Sequence, residues 1–387
     1  MTKVVLTGGG TAGHVMGNLA ILPGLRERGY DIVYIGSEEG IERELIARKQ
    51  LPYYPISSGK LRRYPSWENF KDIFRVLKGI RDAKAALKAI RPDIIFSKGG
   101  YVTVPVAFAA GSLKIPFIGH ESDITPGLAN KLASRYARKM LVTFPETRSA
   151  FGEKGVVVGS PVRQELYEGS RTHAYEFLGF QEGRPLILIK GGSMGAMVIN
   201  RIVWESLDEL LQHYQIVHLV GNEHINRDVP DRPGYRQYGY VGSEMKHLLT
   251  AADFIVSRAG SNSIFEFLAL RKPHLLIPLD YDQSRGDQVL NAESFERAGY
   301  SLVIREKDLD QETFLTRLSE LELKAPLFIG NMEQAELGEG VASILQIIDD
   351  TLKETRREDR LRQIETEKIQ AKAVSFEKTY SGTDEGK

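Results

Sequence analysis

The sequence predicts an α/β protein built from two doubly wound, Rossmann-like domains. Short apolar stretches typical of buried parallel strands alternate with segments of helical periodicity. Several of these strands run directly into glycine-rich turns, and the same series of motifs occurs twice along the chain. With 387 residues, the chain is long enough for two or three domains.

The composition narrows the class of protein. Apolar residues make up 42% of the chain and charged residues 26%, as in a soluble globular protein. The 51 acidic residues balance 51 basic ones, which argues against a general nucleic-acid-binding protein. The absence of cysteine excludes disulfides and thiolate metal sites and suits a reducing compartment. A strand expected at residues 3–7 and the lack of a long apolar run predict neither a signal peptide nor a membrane-spanning helix.

The first half opens with a strand that enters the glycine-rich segment 8–14, and a helix is expected over residues 18–28. Gly8, Gly10 and Gly13 match the dinucleotide-binding pattern, which any glycine-rich strand–helix turn can produce. His14 ends this segment. It is either a functional residue or a histidine that bonds the backbone at the start of the helix.

Residues 60–90 mix basic with aromatic and aliphatic side chains. Phe70, Phe74 and Leu77 fall at helical spacing and share one face, which Lys and Arg residues flank. Two interpretations remain open: a core helix with a solvated basic side, or a surface that meets a membrane.

The internal repeat defines the domain organisation. The segment 9–13 recurs at 191–195, and the segment 93–100 recurs at 253–260. In doubly wound sheets ligands bind beyond the carboxyl ends of the strands, and all four glycine-rich turns lie at such ends. The two domains should therefore face each other across a cleft.

We expect the first domain to cover residues 1–162 and the second to cover residues 163–340. An amphipathic helix expected at 341–352 packs back on the first domain. The charged segment 353–387 is expected to be flexible, either frayed or disordered.

The turn before the helix that carries Glu266 has the features of a nucleotide site. Ser261 and Asn262 can cap the helix, whose first N–H groups attract phosphate. Glu266 lies about one turn further on, where its carboxylate can accept both hydroxyl hydrogens of a ribose; the alternative is a favourable charge at a helix N-terminus. Two facing nucleotide-type domains with one sugar-binding acid indicate a nucleotide-sugar glycosyltransferase rather than a dehydrogenase.

Over residues 1–350 the chain resembles the bacterial lipid I to lipid II N-acetylglucosaminyltransferase (MurG) family. The motifs that carry the resemblance are residues 9–14, residues 99–102, His120 with Glu121, residues 159–163, residues 191–193, Glu266, and Gln288 with Asn291.

The resemblance implies the glycosyltransferase B architecture and an inverting reaction. N-acetylglucosamine moves from UDP-N-acetylglucosamine to the 4-hydroxyl of the muramoyl sugar of undecaprenyl-diphospho-N-acetylmuramoyl-pentapeptide (lipid I), which gives lipid II for peptidoglycan. No cofactor and no metal are implied. The alternatives are a UDP-N-acetylglucosamine 2-epimerase, another lipid-directed UDP-sugar transferase, and a non-enzymatic membrane adaptor that senses nucleotide sugars.

The resemblance also assigns site residues. The donor-binding residues it implies are Arg163, Ser193, Met194, Gly195, Val241, Ser261, Asn262, Glu266 and Gln288. The residues of the acceptor and diphosphate loops are Thr11, Ala12, Gly13, Gly99, Gly100, Tyr101 and Asp123. His14 is the expected general base, because histidine titrates near neutrality, and Glu121 is the second choice. Asp280 and Asp282 resemble the metal-binding pattern of another glycosyltransferase architecture, but this architecture works without a metal.

A lipid-linked acceptor implies a peripheral protein on the cytoplasmic face of the bacterial plasma membrane. The segment from Leu61 to Ile80 is expected to contact the anionic lipid surface. Proteins of cell-wall synthesis are candidate partners, and nucleic acid is not expected.

The sequence departs from the family pattern at several glycine-loop and sugar-binding positions. The departures are Ala12 for a common glycine, Gly17 for proline, Asp123 for asparagine, Met194 for glutamine and Asp287 for glutamine.

Overall fold

The structure, a computed structural model, describes residues 1–59, 67–192, 194–281, 286–335 and 340–380. In this part of the chain the strands form two separate parallel sheets, each flanked by helices. This is the predicted pair of doubly wound domains.

The first sheet has seven strands in the order β3-β2-β1-β4-β5-β6-β7. Its strands are β1 (Lys3–Thr7), β2 (Asp31–Ser37), β3 (Tyr53–Ile56), β4 (Ile94–Ser97), β5 (Phe117–Glu121), β6 (Lys139–Val142) and β7 (Gly155–Val157). Its helices are α1 (Ala12–Glu27), α2 (Ile41–Ala47), α3 (Trp67–Ile90), α4 (Thr103–Leu113) and α5 (Leu128–Ala133), and a 3₁₀ segment covers Pro145–Lys154.

The second sheet has six strands in the order β10-β9-β8-β11-β12-β13. Its strands are β8 (Leu186–Lys190), β9 (Gln215–Leu219), β10 (Tyr235–Tyr238), β11 (Phe254–Ser257), β12 (His274–Leu276) and β13 (Ser301–Val303). Its helices are α6 (Arg171–Leu178), α7 (Met197–Glu205), α8 (Leu207–His213), α9 (Met245–Ala251), α10 (Ser261–Ala269), α11 (Asp287–Arg297) and α12 (Gln311–Glu333), and the last helix of the chain, α13 (Gly340–Tyr380), returns to the first domain. Short 3₁₀ segments cover Gln164–Glu168, Asn222–His224 and Glu306–Asp308.

The order of the strands places the glycine-rich loops at the centre of each sheet. β1 pairs with β4, and β8 pairs with β11, at the points where the winding changes direction. The loops after β1 and β4 contact each other, because Gly9 N donates to Gly99 O at 3.3 Å. Gly100 has φ 89°, and a Cβ there would collide with the Gly9 carbonyl, so this close approach requires glycine.

The central strands of both sheets are buried on both faces, which explains why they read as continuous apolar runs rather than alternating ones. One aromatic residue joins the two domains. Phe144 follows β6 of the first domain, yet its ring packs edge-on against Phe265 at 5.1 Å and Phe295 at 6.3 Å in the core of the second domain. Such aromatic pairs add about 0.5–1.5 kcal/mol each beyond the area that they bury.

The beginning of α13 is part of the first-domain core. Ile344, Ile348 and Leu352 are buried in the same cluster as the strand residue Val4. Asp349 accepts from the Tyr30 hydroxyl at 2.5 Å and pairs with Arg28 at 3.0 Å.

Two expectations about helix boundaries are wrong. α1 begins at Ala12 rather than at residue 18, since the end of the glycine-rich segment is already helical. α13 does not end at Leu352 but continues to Tyr380, so residues 353–380 have regular structure; residues 381–387 lie outside the described part. Glu358 stabilises the continuation of α13 beyond Leu352. It accepts from Arg138 at 3.0 and 2.7 Å and also pairs with Arg362 one turn further on.

None of the described helices is both long enough and apolar enough to cross a membrane.

Candidate functional site

Hydrogen bonds between the domains bring the carboxyl edges of the two sheets together. Asn262, in the first turn of α10, donates to Gly13 O at 2.9 Å. Asn291 on α11 donates to Asp123 at 3.1 Å and accepts from Ile124 N at 3.3 Å. The loops at both switch points therefore line one cleft, as the sequence predicts.

Three charged side chains lie close together near α10 of the second domain: Arg163, Lys190 and Glu266. Oε1 of Glu266 accepts from Nε and Nη2 of Arg163 at 3.2 and 3.1 Å. Lys190 ends β8, and its ammonium lies 3.4 Å from the Ser263 hydroxyl. Burial lowers the pKa of Lys190, and the nearby Glu266 opposes this shift. Arg163 and Glu266 were predicted, whereas Lys190 was missed, although a lysine that ends an apolar strand is a signal that could have found it.

The other expected donor residues occupy different kinds of position. Gln288, in the first turn of α11, accepts from Leu279 N at 3.1 Å, which ties it to the loop after β12. The Val241 side chain is buried in the second-domain core, and Met194 is 81% exposed. Ser193 lies outside the described residues.

Two further residues expected to bind the donor, Ser261 and Gly195, lie at the start of a helix and in a tightly packed loop. Ser261 begins α10 and is buried. Gly195 has φ 80°, and a Cβ there would collide with the Val220 carbonyl, so the loop after β8 packs tightly on the end of β9.

His14 lies in the first turn of α1, at the end of the loop after β1. Its Nδ1 is 2.9 Å from Gly9 O and 3.1 Å from the Thr11 hydroxyl. Because a carbonyl oxygen can only accept, Nδ1 carries the hydrogen of the neutral ring and the lone pair is on Nε2. The Tyr101 ring covers the same loop, where a Cβ on Gly10 would collide with it.

Glu121 holds the loop that follows β5. One carboxylate oxygen accepts from Ser122 N at 2.9 Å and Asp123 N at 3.1 Å, and the other accepts from Gly127 N and the Asn130 amide at 2.9 Å each. Burial and then the charge of Asp123 raise the pKa of Glu121, while these hydrogen bonds oppose the shift. The carboxylate thus uses both oxygens to shape the loop.

Lys98 is a buried cation that the sequence did not single out. Its Nζ lies 2.7 Å from the Ser122 hydroxyl and 2.9 Å from His120 Nδ1. Burial lowers the pKa of Lys98 to about 7, although Glu121 and Asp123 raise it. A Cβ on Gly17 would collide with the Lys98 stem, so the glycine that replaces the family's proline leaves room for this lysine.

Two groups could be considered for a metal ion. Asp280 forms an ion pair with Arg305, which lowers the pKa of the carboxyl, and Asp282 lies outside the described residues. His173, Glu244 and His247 place one ligand atom each within 4.8 Å of one another. His247 Nδ1 already accepts from Ser170 N at 2.9 Å, which puts the ring hydrogen on Nε2 and leaves that nitrogen unsuited to bind a metal.

Two facing Rossmann-like domains, with a carboxylate and two cations close to a helix start, are the arrangement expected of a glycosyltransferase of the two-domain B class. Residues 4–142 match the glycosyltransferase family 28 N-terminal domain, and residues 186–348 match the glycosyltransferase family 28 C-terminal domain. The chain belongs to the family of UDP-N-acetylglucosamine–N-acetylmuramyl-(pentapeptide) pyrophosphoryl-undecaprenol N-acetylglucosamine transferases, as its similarity to named relatives shows.

The enzyme of this name from Clostridium botulinum (strain Loch Maree / Type A3) is 50% identical over 349 residues, which cover 90% of this chain and 99% of the relative. The enzyme of the same name from Clostridium perfringens (strain ATCC 13124) is 48% identical over 347 residues, which cover 89% of this chain and 97% of the relative.

Solved structures support the fold. Acinetobacter baumannii MurG superposes with a TM-score of 0.69 at 22% identity, covering 90% of this chain and all 100% of that one. A UDP-N-acetylglucosamine 2-epimerase from Neisseria meningitidis, bound to UDP-N-acetylglucosamine, superposes with a TM-score of 0.64 at 14% identity. The match covers 90% of this chain and 100% of that one. Both likenesses concern the fold alone, so the similarity to the epimerase does not favour that activity.

Proposed function

We propose that this protein transfers N-acetylglucosamine from UDP-N-acetylglucosamine to the 4-hydroxyl of the muramoyl sugar of lipid I, with inversion, and thereby makes lipid II. The observation that carries the proposal is the identity of 50% over 99% of the length of a relative whose name states this transfer. The facing loops of the two domains give the reaction a cleft that both substrates can enter.

The second domain binds the donor in this proposal. The start of α10 and the Lys190 ammonium lie where the diphosphate of UDP gains negative charge as the sugar bond breaks, so they stabilise the leaving group without a metal. Glu266 binds the ribose. Arg163 occupies only Oε1 of this carboxylate, which leaves Oε2 to meet the hydroxyls.

The first domain binds the acceptor. Its diphosphate lies between the loops after β1 and β4, where glycine backbone approaches most closely. His14 takes the proton of the attacking hydroxyl through Nε2, while the Gly9 carbonyl fixes the ring through Nδ1.

α3 holds the cleft against an anionic lipid surface, where the lipid tail of the acceptor stays. Phe74 is 71% exposed and Leu77 is 58% exposed, and the exposed Arg75 and Lys78 lie beside them. This exposure contradicts a core role for these two apolar residues. Leu61 lies outside the described residues, and so does the side chain of Phe70. The protein is peripheral on the cytoplasmic face of the membrane in this proposal, and cell-wall synthesis proteins are candidate partners.

The experiment that tests the function uses radiolabelled UDP-N-acetylglucosamine and a lipid I analogue. We expect a labelled lipid product and an equal amount of UDP. Release of N-acetylmannosamine without any lipid acceptor would identify an epimerase, and donor binding without turnover on lipid acceptors would identify a sensing adaptor.

His14→Ala should lower the turnover number by about 10²–10⁴-fold, because the variant lacks the base that accepts the hydroxyl proton. The dissociation constant for UDP-N-acetylglucosamine should stay nearly unchanged, since His14 is in the acceptor domain. His213→Ala, at an exposed position on α8, is the matched control. Turnover close to normal in His14→Ala would show that His14 is not the general base and would leave Glu121 as the candidate.

Glu266→Ala should weaken the use of the donor by tens- to hundreds-fold, because the loss of two charge-assisted hydrogen bonds costs about 2–4 kcal/mol. A donor that lacks the 2′-hydroxyl gives a sharper measurement. The unmodified enzyme should discriminate against it, whereas the alanine variant should not. Glu165→Ala removes the other carboxylate that pairs with Arg163, at 2.9 Å, and serves as the control. An equal penalty for the deoxy donor in both enzymes would restrict Glu266 to helix-end electrostatics.

Phe74→Ser combined with Leu77→Ser should reduce sedimentation of the protein with phosphatidylglycerol vesicles, because these side chains enter the lipid interface. The matched control replaces Leu323 and Leu327 on α12, which are 83% and 60% exposed, by serine. Both double variants should keep the unmodified melting temperature. If the α3 variant instead loses solubility and unfolds early, the segment is core and the membrane proposal is wrong.

A further inference from the structure

Lys98 is a buried cation of the first domain to which the proposed reaction gives no role. The internal repeat places Arg258 at the corresponding position of the second domain, directly after β11. Arg258 is paired with Glu306 at 2.5 Å. None of the ion pairs formed by the described residues involves Lys98, whose polar contacts are with uncharged groups.

The surroundings of the Lys98 ammonium are neutral for a physical reason. His120 Nε2 lies 3.3 Å from the Gly159 carbonyl, which can only accept, so this nitrogen carries the hydrogen and Nδ1 accepts from Lys98. Burial, together with the charge of Lys98, keeps the pKa of His120 well below its ordinary value. Ser122 supplies a hydroxyl oxygen.

The two nearest carboxylates are engaged elsewhere. Glu121 accepts four hydrogen bonds from the loop after its own strand, and Asp123 accepts from Asn291 of the second domain. They raise the pKa of Lys98 only through space. Lys98 thus carries a charge that the free protein does not neutralise by contact.

Lys98 immediately precedes the glycine loop that is proposed to bind the diphosphate. Its backbone N donates to Thr7 O at 3.1 Å, so the residue joins the ends of β4 and β1, and Gly99 follows it. Its stem passes against Gly17 of α1, near the positive end of that helix. A buried charge acts through a low dielectric and is felt across the thin glycine loops above it.

We propose that Lys98 is the specificity-determining positive charge for the acceptor, and that binding of the acceptor's diphosphate holds a proton on its ammonium. The inference rests on the proposed function, because it requires a diphosphate ester between the two glycine loops. The lysine acts on the diphosphate through the loop backbone rather than by contact.

Burial supports this by lowering the pKa of Lys98 to about 7, so the free enzyme loses this charge as the pH rises above neutrality. A nearby diphosphate raises the same pKa, and the bound complex therefore keeps the proton to a higher pH. The charged or titratable groups that face this region are His120 and Glu121 of β5, Asp123 after β5, His14 of α1, Tyr101 beside Gly10, and Glu42 of α2, whose buried carboxylate accepts from Gly10 N at 3.3 Å. Protonation of a histidine base lowers kcat as the pH falls, whereas loss of the Lys98 charge raises the acceptor KM as the pH rises. The two effects therefore differ in direction and in the kinetic constant that changes.

The experiment measures the KM of a soluble, short-chain lipid I analogue between pH 6 and pH 9 at saturating donor. For the unmodified enzyme we expect this KM to rise above pH 7 by at most about tenfold per pH unit, the limit for one linked proton. Calorimetric titration with the same analogue at pH 8, in two buffers of different ionisation enthalpy, should show proton uptake on binding without any turnover.

Lys98→Met keeps the length of the side chain and removes its charge. It should give a raised acceptor KM that no longer changes with pH, while kcat and the donor KM stay close to normal. Ser122→Ala removes an acceptor of the ammonium and should shift the rise in KM to lower pH, which keeps the test available if the methionine variant does not fold. Lys190→Met, which removes the ammonium that the proposed function assigns to the donor diphosphate, should alter the donor KM instead.

A pH-independent acceptor KM in the unmodified enzyme, or the same pH dependence in Lys98→Met, would overturn the inference. Absence of a lipid product at every pH would contradict the proposed function itself, so the two failures are distinguishable.

Discussion

Parallel strands that are buried on both faces satisfy their backbone hydrogen bonds everywhere except at their ends, and the organisation of this protein depends on that constraint. The unpaired N–H groups collect at the carboxyl edges and at the helix starts that follow them. In each domain the winding changes direction at one pair of strands, β1 with β4 and β8 with β11, which separates the following helices and opens a crevice. Asn262 and Asn291 bring the two crevices together, so the backbone donors of both domains face the same space.

The charges around that space are distributed unequally. On the donor side three ion pairs are formed, Arg163 with Glu266, Arg258 with Glu306, and Asp280 with Arg305, while the Lys190 ammonium contacts the Ser263 hydroxyl. On the acceptor side Lys98 is enclosed by a hydroxyl and a neutral imidazole. Paired charges preserve geometry whether or not a ligand is present, whereas a buried cation without a counter-ion favours the binding of an anion that supplies one.

The sequence predicted the two sheets, the facing cleft and the family, because short apolar strands and a repeated set of glycine turns are local patterns that need no tertiary information. It also identified Arg163 and Glu266, but not their contact, since they are far apart in the chain and meet only when α10 packs beside the interdomain crossing. Lys98 and Lys190 were missed because their burial, which lowers the pKa of both, is a property of the fold; for Lys190 the end of an apolar strand was a signal in the sequence.

The extent of α13 was also beyond local reasoning. Its charged composition is typical of disorder, yet the helix continues, and the salt bridge of Glu358 with Arg138 depends on where α13 crosses the first domain. The Gly17 departure likewise has no explanation in the sequence alone and acquires one only from the path of the Lys98 stem.

The chain passes between the domains twice, first through residues near Gly159 and Ser160 and again before α13 returns to the first domain. The start of α13 touches the first passage, because a Cβ on Gly340 would collide with the Ser160 carbonyl. Two domains joined by two adjacent connections can rotate about the hinge axis that runs through both connections. The same connections oppose twisting of one domain against the other and separation of the two. A motion that widens the cleft is therefore expected to be a rotation about this axis, and it must break the hydrogen bonds of Asn262 with Gly13 and of Asn291 with Asp123.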